Sequence, residues 1–136
     1  MKHTLLLGYQ WLTGISDTGA GILLYLAPAF TLRLMGVQAP ADAMPFVGYV
    51  GAFVLAVGLT CLYGALLLTL RKAPERVETI WLITALLRGA VAIYVFQSIL
   101  TGVLEPGWIG VTLFDGACVV VQAIGLKRRW LCNACD

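Results

Sequence analysis

Residues 45–70 read PFVGYVGAFVLAVGLTCLYGALLLTL, a run without a single charged residue. About 20 apolar residues in a helix are enough to cross the hydrocarbon core of a bilayer. Small residues at positions 48, 51 and 58 let a neighbouring backbone approach closely, which is how helices commonly pack in lipid. This stretch therefore predicts a transmembrane helix with a helical partner.

The remainder of the 136-residue chain has the same character, with 60% hydrophobic and only 12% charged residues. A soluble domain carries about a quarter charged residues. The apolar stretches cover about residues 4–30, 45–70, 77–101 and 108–126. Because an open sheet cannot satisfy its backbone in lipid, each stretch is expected to be helical. We predict an all-α fold, a single domain over residues 1–136 with four transmembrane helices in an up-down bundle.

Basic residues are distributed unequally between the two ends of such a bundle. Lys2, the loop at 71–76 and the tail at 127–136 fall on one side, whereas Arg33 falls on the other. The positive-inside rule then places both termini in the cytoplasm. Tryptophans expected in the interfacial belt near the cytoplasmic ends are Trp11, Trp81 and Trp130. The net charge of +2 is too small to favour a nucleic-acid partner.

Three charged residues interrupt the predicted spans near their middles: Asp17, Arg88 and Asp115. With the helical rise of 1.5 Å per residue, all three lie at a depth of roughly 15–18 Å from the cytoplasmic end. A charge at that depth costs a few kcal/mol or more and usually faces the bundle interior. Since one guanidinium can bridge two carboxylates, we predict a polar cluster formed by three helices.

Other polar residues share helical faces with these charges. They are Thr13 in the first span, Thr84 in the third and Gln122 in the fourth. Together with the three charged residues they form a candidate ligand-binding site or proton relay. In that site Arg88 would anchor an anionic or carbonyl group. The alternative is structural, because buried ion pairs can simply fix which helices pack together.

The tail contains a CxxC motif formed by Cys132 and Cys135. On the cytoplasmic side these thiols are expected to be reduced. One such motif supplies half of a Cys₄ zinc site, and a homodimer would bring two tails together to complete it. Incidental tail thiols, or a redox or lipidation role, are the alternatives. No catalytic residue is predicted, because the one histidine, His3, lies at the membrane edge and no phosphate-binding loop is present.

The order Gly14, Asp17, Gly21, Pro28 and Gly36, followed by the glycine-spaced segment 51–58, resembles small bacterial four-helix membrane proteins of the DoxX-like kind. This resemblance implies a multi-pass protein of the cell inner membrane. It also implies an association with membrane redox systems and quinones.

The sequence favours a binding or accessory role toward a small apolar or amphipathic ligand, quinone- or lipid-like, rather than an enzyme. An ion-coupled or metal transporter and a structural subunit of a larger membrane complex are the alternatives. The expected partners are the lipid bilayer, the small ligand and further copies of the chain.

Overall fold

The computed structural model of the protein describes residues 2–131. Within that range every regular element is helical, which confirms the predicted all-α class. The α-helices are α1 (Lys2–Leu26), α2 (Pro28–Leu34), α3 (Met44–Thr69), α4 (Pro74–Leu100) and α5 (Ile109–Lys127). Short 3₁₀ turns at Ala41–Ala43 and Pro106–Trp108 lead into α3 and α5.

Among residues 2–131, three helical segments are long and apolar enough to cross a membrane. They are Ala41–Thr69, Pro74–Leu100 and Pro106–Lys127. Helix α1 has the length, at 25 residues, but is not among them. Its buried face carries Gln10, Thr13 and Asp17, which lower its apolar content. The fourth span therefore stays a prediction.

The helix expected over residues 4–30 is divided in two, because α1 ends at Leu26 and α2 begins at Pro28. Ala27 between them has non-helical dihedrals (φ −139°, ψ 60°). A residue before proline is disfavoured in the α region, and proline itself suits the first turn of a helix. Pro28 thus accounts for both the end of α1 and the start of α2.

The connections at the end of the bundle away from the termini contact each other. Gly36, with φ +69°, follows the end of α2 and turns the chain back toward that helix. The N–H of Val37 then donates to Leu32 O at 2.9 Å. The backbone N–H of Gln38 donates to Glu105 Oε2 at 3.0 Å, which joins the α2–α3 connection to the α4–α5 connection. This hydrogen bond holds the two connections together at that end of the bundle.

Helices α1 and α3 form a tight antiparallel pair. Thr18 lies beside Gly58, and Tyr25 lies beside Gly51. A Cβ atom added at Gly51 would lie 2.5 Å from the Tyr25 backbone nitrogen, so only glycine permits this approach. Because lipid offers no hydrophobic force between helices, such close packing is a principal source of their association.

The second antiparallel pair consists of α4 and α5, where the Trp81 ring covers Gly125. Among the described residues, no Cα atom of α1 lies within 8 Å of a Cα atom of α4 or α5. The backbones of α3 and α4 do approach each other, and elsewhere the pairs meet through long side chains and through an apolar core at the end that carries the termini. That core contains Leu6, Leu67, Leu68, Val77, Trp81 and Leu131.

Candidate functional site

The side chains of Asp17, Arg88 and Asp115 meet between the two helix pairs. Arg88 Nη1 donates to Asp115 Oδ1 at 2.6 Å, and Arg88 Nη2 donates to Asp17 Oδ2. The guanidinium of α4 therefore bridges a carboxylate of α1 and a carboxylate of α5. The three side chains lie at the same level along the helix axes, as the count of residues along the predicted spans indicates.

This charged cluster is nearly closed to the surroundings. The exposed fractions of the side chains are 4% for Arg88, 9% for Asp17 and 13% for Asp115. The Phe114 ring lies over the guanidinium, with its centroid 5.3 Å from Arg88 Cζ, a cation–π distance. Phe114 itself is 39% exposed and so lies between Arg88 and the outside of the bundle. The α5 side is the most open approach to the cluster.

Several polar atoms in and beside the cluster have unused hydrogen-bonding capacity. Arg88 Nε and Gln122 Oε1 are buried without a partner. Within the described part of the chain, Asp17 Oδ1 and Asp115 Oδ2 accept no hydrogen bond. Buried polar groups are nearly always paired in native proteins, so unsatisfied ones near a charge cluster call for a bound molecule or a functional explanation.

The predicted polar residues Thr84 and Gln122 contact each other one turn from Arg88, toward the termini. Gln122 Nε2 donates to Thr84 Oγ1 at 2.9 Å, and this hydroxyl donates to Ile80 O at 2.7 Å. Thr13 is buried as well, but its hydroxyl donates to Tyr9 O at 3.0 Å within its own helix. The structure thus brings Thr84 and Gln122 together and leaves Thr13 bonded along α1.

A further polar contact, between Gln10 and Trp81, was not predicted. Trp81 Nε1 donates to Gln10 Oε1 at 2.7 Å, and Gln10 Nε2 donates to Cys61 O at 3.0 Å. Trp81 is fully buried, so its ring packs inside the bundle, while its expected place toward the cytoplasmic end stays a prediction. A buried indole N–H needs an acceptor, and Gln10, two turns from Asp17 on the same face, supplies it. The sequence signal for this contact was the position of Gln10 on the same helical face as Asp17.

Cys61 and Cys118, in the α3 and α5 spans, are both buried free thiols. Tyr9 OH donates to the backbone oxygen of Cys118 at 3.4 Å, which links α1 to α5 without using the thiol. No group of three or more histidine, cysteine or acidic side chains in the described residues could hold a metal ion. Cys132 and Cys135 lie outside the described residues, so the zinc site of a tail dimer stays a prediction.

Comparison of the chain with protein-family models, curated proteins and solved structures gives no match.

Proposed function

We propose that this protein is a four-span membrane protein that binds a small amphipathic ligand at the Asp17–Arg88–Asp115 cluster. The observation that carries the proposal is the composition of the cluster, two carboxylates on one guanidinium, with a formal charge of −1 and unused acceptor atoms on both acids. Intramembrane ionisable residues generally mark functional sites. A cluster that has more acid than base needs a proton to be neutral, or a hydrogen-bond donor to stabilise the second carboxylate.

Helix α1 is proposed as the fourth span because of its length and its neighbours. At 25 residues it extends roughly 37 Å, more than the hydrocarbon thickness of a bilayer. It follows the spanning helix α3 from Tyr25 beside Gly51 to Gln10 beside Gly64. Its Gln10, Thr13 and Asp17 side chains face the other helices, where they are buried. Four such helices, connected in sequence, give an up-down bundle.

Orientation follows from the basic residues at the two ends of this bundle. The α3–α4 connection carries Arg71 and Lys72, and α5 ends at Lys127 on the same side. Arg33, in the last turn of α2, is at the opposite end. The positive-inside rule supports an inner-membrane protein with both termini in the cytoplasm.

The arrangement of Arg88 limits the chemistry of the ligand. Both terminal nitrogens of the guanidinium already donate to carboxylates, so an anionic ligand would add a third negative group beside a single base. The two acids, by contrast, each have an oxygen free to accept a hydrogen bond. We therefore favour a ligand that donates from a hydroxyl group, such as a quinol or a lipid-like alcohol, over the anionic group expected at Arg88.

Binding explains the distribution of polar residues better than transport does. Buried polar side chains between the cluster and the termini are Gln10, Thr13, Thr84 and Gln122. Toward the opposite end, the hydroxyls of Thr18 and Thr112 are buried next to the cluster, and the further buried polar side chains of the described residues are Thr31 and Ser98. A transmembrane relay needs polar groups on both sides of the charge. A site with a polar approach from one side fits a bound ligand.

The test is retention and binding of a quinol by isosteric variants. Native mass spectrometry of the full chain released from mild detergent reports retained small molecules, and titration with a short-chain ubiquinol reports affinity. We expect Asp17→Asn and Asp115→Asn to fold but to lose binding. Glu75→Gln, which changes an exposed acid in the first turn of α4, is the matched control and should bind as the parent protein does.

Two outcomes would overturn the proposal. Unchanged quinol binding in folded Asp17→Asn and Asp115→Asn proteins would separate the ligand from the cluster. A parent protein that retains no small molecule and binds no quinol would favour the structural alternative, in which the charges only hold the helices together.

A further inference from the structure

We infer that the end of the bundle opposite the termini carries a binding site for one zwitterionic phospholipid, with an amine in its headgroup. This site lies between α2 and α3 and is separate from the charged cluster. It consists of an apolar depression, a neighbouring smaller depression that contains Arg33, and the charged residues around them.

The apolar depression has a volume of about 600 Å³. Tyr25 and Tyr49 stand on its rim, and Gly48 and Ala52 belong to its lining. Ligand pockets typically measure 300–1,000 Å³ and are mostly apolar. Gly48 keeps the depression open, because an added Cβ would have one heavy atom within 4 Å, Tyr25 O at 3.8 Å. The space fits an acyl chain that enters from the surrounding lipid.

The smaller depression, of about 230 Å³, shares Met44 with the apolar one, and its mostly apolar lining includes the polar residues Arg33 and Gln38. Arg33 is exposed, and its side chain makes no hydrogen bond or ion pair with any described residue. A guanidinium offers a planar set of donors that matches phosphate oxygens. The headgroup phosphate is therefore assigned to Arg33, next to the apolar depression that holds the chain.

Acidic residues at this end decide which headgroup fits. Asp42 follows Ala41, which lines the apolar depression, and Glu105 reaches the backbone of Gln38. With Arg33 these residues give a formal charge of −1, so an anionic headgroup meets two acids for one base. A headgroup with an ammonium beside its phosphate presents both signs. Phosphatidylethanolamine has this chemistry, whereas phosphatidylglycerol does not.

The experiment measures lipid bound to the full chain by native mass spectrometry after equilibration with phosphatidylethanolamine or phosphatidylglycerol. Gly48→Leu fills the apolar depression without a backbone clash, and Arg33→Gln removes the phosphate partner. Gly110→Leu is the matched control, because Gly110 is near the same end of the bundle and nothing lies within 4 Å of an added Cβ.

We expect one tightly bound phosphatidylethanolamine per chain in the parent protein and in Gly110→Leu. Gly48→Leu should lose it, and Arg33→Gln should weaken it about fivefold, the upper range for an exposed ion pair. Equal retention in Gly48→Leu and Gly110→Leu would overturn the site. Equal binding of phosphatidylglycerol would overturn the assignment of the headgroup. Because Asp17→Asn leaves this end unchanged, it should retain the lipid whether or not the quinol proposal fails.

Discussion

Replacing Arg88 by leucine removes the base that contacts both Asp17 and Asp115 and leaves two carboxylates facing each other between the helix pairs. Removing one partner of a buried ion pair costs about 3–5 kcal/mol, since the remaining charge is buried without compensation. The Asp17 side chain is 9% exposed and that of Asp115 13%, so little solvent is available to either acid. We expect the free energy of unfolding of Arg88→Leu to fall below that of the parent protein by an amount within that range.

Most of this loss of stability should be recovered when the two acids are removed as well. In Arg88→Leu combined with Asp17→Asn and Asp115→Asn no charge is buried, and the free energy of unfolding should return to within about 1–2 kcal/mol of the parent value. Residues in one ion-pair network are expected to be strongly non-additive in this way.

The free energy of unfolding is measured in mixed micelles titrated with a denaturing detergent, and tryptophan fluorescence, to which buried Trp81 contributes, reports loss of the core. Leu86→Ala is the control on the same helix, because Leu86 is 68% exposed and its truncation should change stability by less than about 0.5 kcal/mol. A triple variant as unstable as Arg88→Leu would refute the reasoning. The loss would then come from the packing of the arginine side chain and not from unpaired acids.

Three further substitutions test the packing that positions the cluster. Gly58→Ala should destabilise the protein by about 1–3 kcal/mol through overpacking against the α1 backbone. Gly19→Ala, with open space around it, should be neutral or stabilising. Equal effects of the two substitutions in an unfolding titration would argue against the close α1–α3 contact. Trp81→Phe leaves the Gln10 amide oxygen buried without its donor, and the free energy of unfolding should fall by about 1–3 kcal/mol in the same titration. An unchanged free energy of unfolding would mean that this hydrogen bond is not formed. Ala73→Gly relieves a left-handed backbone (φ 48°) and should raise stability by about 1 kcal/mol; a decrease in the melting temperature would contradict that conformation.

Contact between Asp17, Arg88 and Asp115 could be anticipated because lipid leaves buried charges few alternatives. Each residue lay at a similar distance along its span, and a guanidinium can serve two carboxylates at once. The glycines at 51 and 58 were likewise informative, since close approach in lipid needs small residues. In these cases a single strong physical constraint acts on each residue.

The unpredicted features depend on which neighbour a side chain meets. A tryptophan near a helix end suits the interfacial belt, and only the position of Gln10 across the bundle makes Trp81 a core residue. Phe114 has no sequence signal that places its ring over Arg88. The break at Ala27 was readable from Pro28, but the apolar run continues past it and suggests an unbroken span.

The two kinds of helix contact in this protein have different consequences for the candidate site. Within the α1–α3 pair, glycine permits backbone contact, and a packed interface of this kind has little freedom to adjust. Between the pairs, the Arg88 bridge and the Gln10–Trp81 contact join helices whose backbones are farther apart. Long side chains can change partners without moving a backbone. A ligand that donates to Asp17 or Asp115 therefore needs to reorganise only the side chains between the pairs, while the glycine contacts of α1 with α3 keep the carboxylate of Asp17 in position.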